Sequence, residues 1–130
     1  MTDYLTIACS KGYLWDKAVE FLNQIGYVFT NDLNDSRQLS TFDESGRIQL
    51  MKVRPWDVPV YLEEGAADLG VVGKDVLIEQ SADVFELLDL KFGGCRLVIA
   101  GPDQEKDSFL RHNIRVATKY ESSCLAYFRQ

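Results

Sequence analysis

Three short polar segments of this sequence combine a cation with a glycine or a carboxylate. They are Ser10-Lys11-Gly12, Arg54-Pro55-Trp56-Asp57 and Gly73-Lys74-Asp75. Lysine and arginine are the side chains that bind phosphate, and glycine lets backbone N–H groups approach it closely. The chemistry that these residue types favour is therefore the binding of phosphates or ribose hydroxyls.

Each of these segments also has a simpler interpretation. Ser10-Lys11-Gly12 is neither a Walker loop nor a Rossmann fingerprint, so its spacing alone favours an ordinary helix start. Asp57 is placed to cap a helix, Arg54 to pair with a carboxylate, and Trp56 either to stack on a base or to be partly buried. Taken singly, each segment is weak evidence for a ligand.

Catalytic and metal-binding side chains are not indicated by the histidine and cysteine positions. His112 lies in a charged stretch and is expected at a solvated helix end, where it supports no dyad or triad. The cysteines Cys9, Cys95 and Cys124 are widely spaced, which argues against a disulfide framework and against a CxxC metal motif. We expect all three to be reduced, buried side chains.

The polar segments are separated by patterns of alternating strands and helices. Strands are predicted at 4–9, 39–42, 48–53, 67–73, 84–88, 96–100 and 114–117, with a further extended piece at 27–29. Helices are predicted over the apolar spacing from Leu14 to Ile25, ending at Gly26, and at 57–64, 74–80, 103–111 and 120–129. Such alternation is typical of an α/β fold with a mainly parallel sheet.

The predicted fold would bring the polar segments together. Ligands of parallel α/β sheets lie at the carboxyl ends of the strands, where helix N-termini present N–H groups and a partial positive charge. All three segments follow a predicted strand, so they should converge on one edge. They would form a positive cleft rich in N–H groups.

The overall charge limits what such a cleft can bind. Twenty acidic against 14 basic residues give a net charge of −6, which argues against non-specific nucleic-acid binding. The longest apolar runs are far shorter than the roughly 20 residues that cross a bilayer, and the N-terminus lacks a secretory pattern. We therefore expect a cytoplasmic protein without a membrane span.

Together, several ordered motifs resemble the catalytic subunit of ATP phosphoribosyltransferase, particularly its short form, over essentially the whole chain. The motifs are Ser10-Lys11-Gly12 with Leu14, Ser36-Arg37-Gln38-Leu39, Val53-Arg54-Pro55-Trp56-Asp57-Val58-Pro59, Glu64-Gly65-Ala66-Ala67-Asp68-Leu69-Gly70-Val71-Val72-Gly73-Lys74-Asp75-Val76, Glu86-Leu87-Leu88-Asp89-Leu90, Gly94-Cys95-Arg96-Leu97 and Arg115-Val116-Ala117-Thr118-Lys119-Tyr120. The resemblance implies a fold like the type II periplasmic binding proteins, with two α/β lobes and the substrates between them.

The resemblance also implies a reaction and a set of binding residues. Adenine N1 of ATP attacks the anomeric carbon of phosphoribosyl pyrophosphate, and pyrophosphate leaves with magnesium bound to it. The implied charge partners are Lys11, Arg37, Arg54 and Lys74, with Gly12 and Gly73 giving backbone access and Asp57 and Asp75 orienting cations or hydroxyls. Relatives usually have arginine where Tyr13 stands, so one expected cation is absent.

The same resemblance sets expectations for the extent of the chain. Residues 1–100 are expected to form the first lobe and residues 101–130 the start of a second, incomplete lobe, since the family's phosphoribosyl pyrophosphate loop would lie beyond Gln130. The implied assembly is a homo- or hetero-oligomer, with a regulatory subunit resembling histidyl-tRNA synthetase as a possible partner. Two alternatives stay open: a non-catalytic nucleotide or small-molecule binding module of the same fold, and an interaction subunit.

Overall fold

The computed structural model describes residues 3–30, 37–103 and 113–130 of the chain. The chain divides into two compact units, Met1–Gly93 and Gly94–Gln130. Each unit is described by itself below. The assignment of residues 1–100 and 101–130 to two lobes stays a prediction.

A four-stranded sheet forms the centre of the first unit. Its strands are β1 (Leu5–Ser10), β2 (Ser40–Phe42), β3 (Ile48–Val53) and β4 (Leu69–Val71), arranged in the order β2-β3-β1-β4. β1 pairs in parallel with both β3 and β4, and β2 is antiparallel to β3. The prediction of an α/β fold with a mainly parallel sheet is therefore confirmed.

Helices follow the parallel strands at the predicted positions. They are α1 (Tyr13–Gln24), α2 (Val58–Glu63) and α3 (Lys74–Gln80), and a single 3-10 turn, Pro55–Asp57, precedes α2. Gly26 has a φ of 100° just after α1, a value that glycine adopts without strain. This is the residue at which the sequence predicted that the helix would end.

The core lies on both faces of the sheet because successive side chains of β1 point to opposite sides. Ile7 and Cys9 lie in a cluster with the buried face of α1, which contributes Trp15, Ala18, Val19 and Leu22. Ala8 lies in a second cluster with Val53, Val58 and Ala67. Leu50, which is fully buried at 0% exposure in the α1 cluster, contributes about 1.5–3 kcal/mol.

The hairpin between β2 and β3 is organised by one buried carboxylate. Asp43 accepts hydrogen bonds from the Ile48 N–H at 2.7 Å and the Ser45 N–H at 3.0 Å, and a short one from the Ser45 hydroxyl. Desolvation raises the pKa of Asp43, but these bonds and one from the Arg47 backbone outweigh it, so that the pKa lies below its ordinary value. The Gly46 N–H also donates to the Asp43 carbonyl at 3.0 Å, which closes the turn between the two strands.

Some predicted strands are not found in the described part of the chain. The structure has no strand at 27–29, 84–88, 96–100 or 114–117. β-rich composition favours an extended backbone, but a strand also requires a hydrogen-bonded neighbour, which composition does not reveal. The strand predicted at 67–73 is reduced to β4, an edge strand whose Leu69 is exposed. The helix predicted at 103–111 and His112 lie outside the described residues, apart from residue 103.

The second unit contains one helix among its described residues, α4 (Glu121–Phe128), as predicted for 120–129. A cavity of about 520 Å³ lies between this helix and the segment before it, lined by Ile114, Val116, Thr118, Glu121, Cys124, Leu125 and Phe128. The expected burial of all three cysteines is wrong: only Cys9 is buried, while Cys95 is exposed and Cys124 half-buried. No helix in the described ranges has the length and apolar character needed to span a membrane.

Candidate functional site

The parallel strands bring three polar loops to the same edge of the sheet, here called the carboxyl edge. Ser10 of β1 pairs with Val53 of β3, and Cys9 pairs with Val71 of β4. The segments that leave these strands therefore start side by side. The Lys11 N–H donates to the Val53 carbonyl at 3.0 Å, which ties the first loop to the second.

Arg37 lies toward the same edge, although it follows no parallel strand. β2 runs antiparallel to β3, so that Ser40 pairs with Met51. The Lys52 N–H donates to the Leu39 carbonyl at 2.8 Å, which continues this pairing toward the carboxyl end of β3. Arg37, three residues before Ser40, is exposed there.

The first loop is open and contains a backbone position that favours glycine. Gly12 has a φ of 91° and precedes α1, where no side chain caps the helix. A Cβ at Gly12 would meet nothing within 4 Å, so that glycine is favoured there by the backbone angle and not by space. Lys11 is exposed beside it. The arrangement presents an accessible cation next to the N-terminus of a 12-residue helix, which carries a partial positive charge.

The second loop contains an ion pair within its 3-10 turn. Arg54 Nε lies 2.8 Å from Asp57 Oδ2, and the two side chains are 75% and 38% exposed. Asp57 makes no side-chain capping bond to α2. Of the simple interpretations of this segment, the structure therefore has the pairing of Arg54 with a carboxylate and not the capping by Asp57.

Trp56, between these two residues, is half-buried, and it connects the second loop to α3. Its carbonyl accepts a hydrogen bond from Gln80 Nε2 at 2.8 Å. This contact joins the end of α3 to the 3-10 turn. Sequence patterns gave no indication of it, because Gln80 lies 24 residues from Trp56.

The third loop is crowded by its own carboxylate. Gly73 has φ −68° and ψ 141°, angles that any residue adopts. However, a Cβ on Gly73 would overlap a carboxylate oxygen of Asp75. A larger residue at this position would therefore require the Asp75 side chain to move, in contrast to Gly12.

Lys74 forms an ion pair with Glu86, a residue to which the sequence assigned no role. The pair joins the start of α3 to the segment that follows the helix. Gly93, at the end of the first unit, has a φ of 71°, and a Cβ there would come within 2.8 Å of Leu14 Cδ2. The segment from Glu86 to Gly93 thus contacts both the third loop and the start of α1.

The cations at the carboxyl edge are accompanied by carboxylates. The predicted cations are Lys11, Arg37, Arg54 and Lys74. Arg54 is paired with Asp57 and Lys74 with Glu86, in a chain with a net charge of −6. An incoming polyanion must therefore compete with carboxylates for some of these cations.

Two buried polar groups lie close to the first loop. Ser10 Oγ, at the end of β1, is a buried side-chain atom that has no hydrogen-bond partner among the described residues. Burial, together with the charge of Asp16, raises the pKa of the Cys9 thiol to about 12. Because only a thiolate is a strong nucleophile, Cys9 acts as part of the core.

A metal site built by the protein is not found in the part of the chain that the structure describes. No group of three or more His, Cys, Asp and Glu side chains lies close enough there to hold an ion. The eight predicted binding residues thus offer cations, glycines and paired carboxylates, which suits the binding of phosphates. Their roles as ligand contacts stay predictions.

Comparison with known proteins gives a consistent result. Residues 54–130 match the family described as HisG: ATP phosphoribosyltransferase. An ATP phosphoribosyltransferase of Thermoanaerobacter sp. (strain X514) is 48% identical over 127 residues, which are 97% of this chain and 59% of that protein. One of Caldanaerobacter subterraneus subsp. tengcongensis is 49% identical over 130 residues, covering 98% of this chain and 60% of that protein.

A solved structure is also similar. It is the ATP phosphoribosyl transferase (HisG:HisZ) complex from Thermotoga maritima, with a TM-score of 0.54 and 32% identity, and the match covers 65% of this chain and 39% of that chain. This chain spans 59–60% of the length of the two curated relatives described above.

Proposed function

The chain belongs to the ATP phosphoribosyltransferase family, and we propose that it takes part in the condensation of ATP with phosphoribosyl pyrophosphate, the first step of histidine biosynthesis. The observation that carries this proposal is the carboxyl edge itself. Three loops with cations begin side by side there, as the pairing of Ser10 with Val53 and of Cys9 with Val71 requires.

The reaction needs alignment of two substrates more than it needs an acid or base. Adenine N1 forms a bond to the anomeric carbon while the carbon–oxygen bond to pyrophosphate breaks, and pyrophosphate leaves with the electron pair. Cations that hold the two polyanions in place stabilise the developing negative charge. We assign this role to Lys11, Arg37, Arg54 and Lys74, with backbone access at Gly12 and Gly73.

The proposed metal is Mg²⁺ bound to the substrate. The described residues do not form a carboxylate cage, and Mg²⁺ is commonly held by substrate phosphates with few protein ligands. When bound, it would neutralise part of the charge on the leaving pyrophosphate. Asp57 and Asp75 are proposed to orient cations or ribose hydroxyls.

The proposed architecture is that of the type II periplasmic binding proteins, with residues 1–100 in a first lobe and 101–130 beginning a second. The solved relative is a complex of HisG with HisZ, which supports a HisZ-like regulatory partner, resembling histidyl-tRNA synthetase, and an oligomeric enzyme. We propose a cytoplasmic location, as expected for a biosynthetic enzyme. The comparisons do not favour the alternative of a non-catalytic binding module.

Binding of ATP to the 130-residue chain tests the proposal most directly. Fluorescence of the half-buried Trp56 or calorimetry should show saturable binding, and Arg54→Ala should weaken it by roughly tenfold or more, since a charge-assisted hydrogen bond contributes about 1.5–3 kcal/mol. Arg47→Ala is the matched control, because Arg47 is exposed just before β3, at the opposite end of that strand. Equal losses in both variants would argue against a specific site at the carboxyl edge.

Pyrophosphate release then distinguishes an enzyme from a binding module. The chain is mixed with ATP, phosphoribosyl pyrophosphate and Mg²⁺, alone and with a HisZ-type subunit. Release that depends on Arg54 supports the transferase. Binding of both substrates without release under either condition supports the binding module.

A further inference from the structure

The ion pair between Lys74 and Glu86 concerns a cation of the proposed site. Lys74 is the first residue of α3, and Glu86 lies 12 residues further on, outside any helix or strand. Their side chains are 62% and 47% exposed. The pair is therefore accessible to a ligand and is not part of the core.

Glu86 lies in a segment that is attached at both ends. The Asp83 N–H donates to Glu63 Oε1 at 2.8 Å, which attaches the start of the segment to the end of α2. At the other end, Gly93 lies against Leu14 at the start of α1. The segment that carries Glu86 is thus attached to α2 and to α1 by contacts other than the ion pair.

Lysine and arginine respond differently to a neighbouring carboxylate. An arginine has five N–H donors in a planar fork, so that one can be held by a carboxylate while others bind a phosphate. Lys74 has three N–H donors on one nitrogen and acts as a point charge, so that a carboxylate and a phosphate bound to it lie close to each other. A phosphate that approaches Lys74 therefore meets the like charge of Glu86 at the same atom. Because both side chains are well exposed, the pair is weak and can exchange partners.

We propose that Glu86 competes with the ligand for Lys74: it pairs with Lys74 in the free protein and yields it to the polyphosphate of the ligand. The inference rests on the proposed function, since it requires that Lys74 bind a phosphate group. It assigns to Glu86 the effect of weakening ligand affinity. Removing its charge should therefore tighten binding.

Calorimetric titration of the 130-residue chain with ATP tests this inference. Glu86→Gln should bind ATP more tightly, on the order of fivefold, because it removes a carboxylate in contact with the binding cation. Asp89→Asn is the matched control. Asp89 lies in the same segment and pairs with Lys91 at 3.1 Å, so that this variant also removes one negative charge and releases one lysine.

Lys74→Gln and the double variant Lys74→Gln/Glu86→Gln complete a double-mutant cycle. We expect Lys74→Gln to weaken ATP binding. In the Lys74→Gln background, Glu86→Gln should change the affinity for ATP no more than Asp89→Asn changes it in the wild type. Glu86→Asp, which keeps the charge, should bind ATP about as the wild type does.

The outcomes separate this inference from the function on which it rests. If the wild type binds ATP but Glu86→Gln binds no more tightly than Asp89→Asn, the inference is wrong and the proposed function stands. The inference is also wrong if Glu86→Gln raises the affinity for ATP equally with and without Lys74. Glu86 would then act through the overall electrostatic field of the protein and not through Lys74. A wild-type chain that does not bind ATP overturns both.

Discussion

Nε of Arg54 lies 2.8 Å from Oδ2 of Asp57, and both residues belong to the junction between β3 and α2. Arg54 directly precedes the 3-10 turn Pro55–Asp57, and the Asp57 N–H also donates to the Arg54 carbonyl at 2.9 Å. The turn therefore fixes both backbones. Asp57 holds the inner nitrogen of the guanidinium, and the two terminal nitrogens carry the other four of its five N–H donors.

This geometry predicts an effect of Asp57→Asn opposite to that of Glu86→Gln. Without the carboxylate, Arg54 loses its orientation, and ATP binding should weaken by roughly threefold. This is the scale expected because an exposed ion pair contributes up to about 1 kcal/mol. Titration of the variant with ATP measures this. Asp3→Asn serves as the control, because Asp3 is exposed and precedes β1 at the opposite end of that strand.

Tighter binding by Asp57→Asn would show that Asp57 competes for Arg54 and does not orient it. An equal change in Asp3→Asn would mean that only the net charge of the chain matters. Asp57→Asn is expected to lower the affinity for ATP and Glu86→Gln to raise it. This difference follows from the forked guanidinium of Arg54 and the single ammonium nitrogen of Lys74.

A second prediction concerns the buried carboxylate of the β2–β3 hairpin. Asp43 is 4% exposed and accepts bonds from Ile48 and Ser45, so that Asp43→Asn should lower the free energy of unfolding by about 1–3 kcal/mol. Urea unfolding at pH 7 measures the loss. Glu44→Gln, at the exposed neighbouring position, should change stability by no more than about 0.5 kcal/mol.

The same carboxylate predicts a pH dependence. The pKa of Asp43 is lowered in the folded protein from its ordinary value of 3.8, so that below this value the unfolded chain binds more protons than the folded one. The contribution of Asp43 is therefore complete above the unfolded pKa and is lost as the pH falls through the folded pKa. Asp43→Asn should flatten the loss of stability below about pH 4, and an unchanged acid profile would contradict the assignment.

Much of the first unit follows from the sequence because local patterns and connections agree there. The apolar spacing from Leu14 to Leu22 predicts the buried face of α1, and Pro55 marks the end of β3. Since helices alternate with strands, parallel pairing of β1, β3 and β4 was expected. This pairing also predicts that Lys11, Arg54 and Lys74 lie at the same edge of the sheet.

The rest depends on contacts that no local pattern records. Glu86 is 12 residues from Lys74 in the sequence, and Gln80 is 24 residues from Trp56. The spacing of apolar residues along a helix or strand does not predict contacts between residues so far apart. The strands expected at 84–88, 96–100 and 114–117 have suitable composition, yet a strand requires a paired neighbour. The exposure of Cys95 likewise follows from its surroundings and not from its residue type.

A last prediction uses two adjacent glycines, Gly93 as the last residue of the first unit and Gly94 as the first residue of the second. Gly93 has a φ of 71°, and a Cβ there would come within 2.8 Å of Leu14 Cδ2 and 3.7 Å of the Tyr13 ring. Gly93→Ala should therefore lower the free energy of unfolding by about 1–3 kcal/mol, through backbone strain and displacement of Leu14. Gly94→Ala is the matched control, because a Cβ there meets nothing within 4 Å and the backbone has no positive φ.

Urea unfolding of the two variants measures the difference, and ATP titration of the same samples tests its link to the site. Because Gly93 ends the segment that carries Glu86, its displacement should also change ATP affinity, whereas Gly94→Ala should leave both quantities within about 0.5 kcal/mol of the wild type. Equal stability of the two variants would mean that Leu14 moves aside freely. A loss of stability without a change in affinity would show that Gly93 serves the packing of α1 and does not hold Glu86 in place.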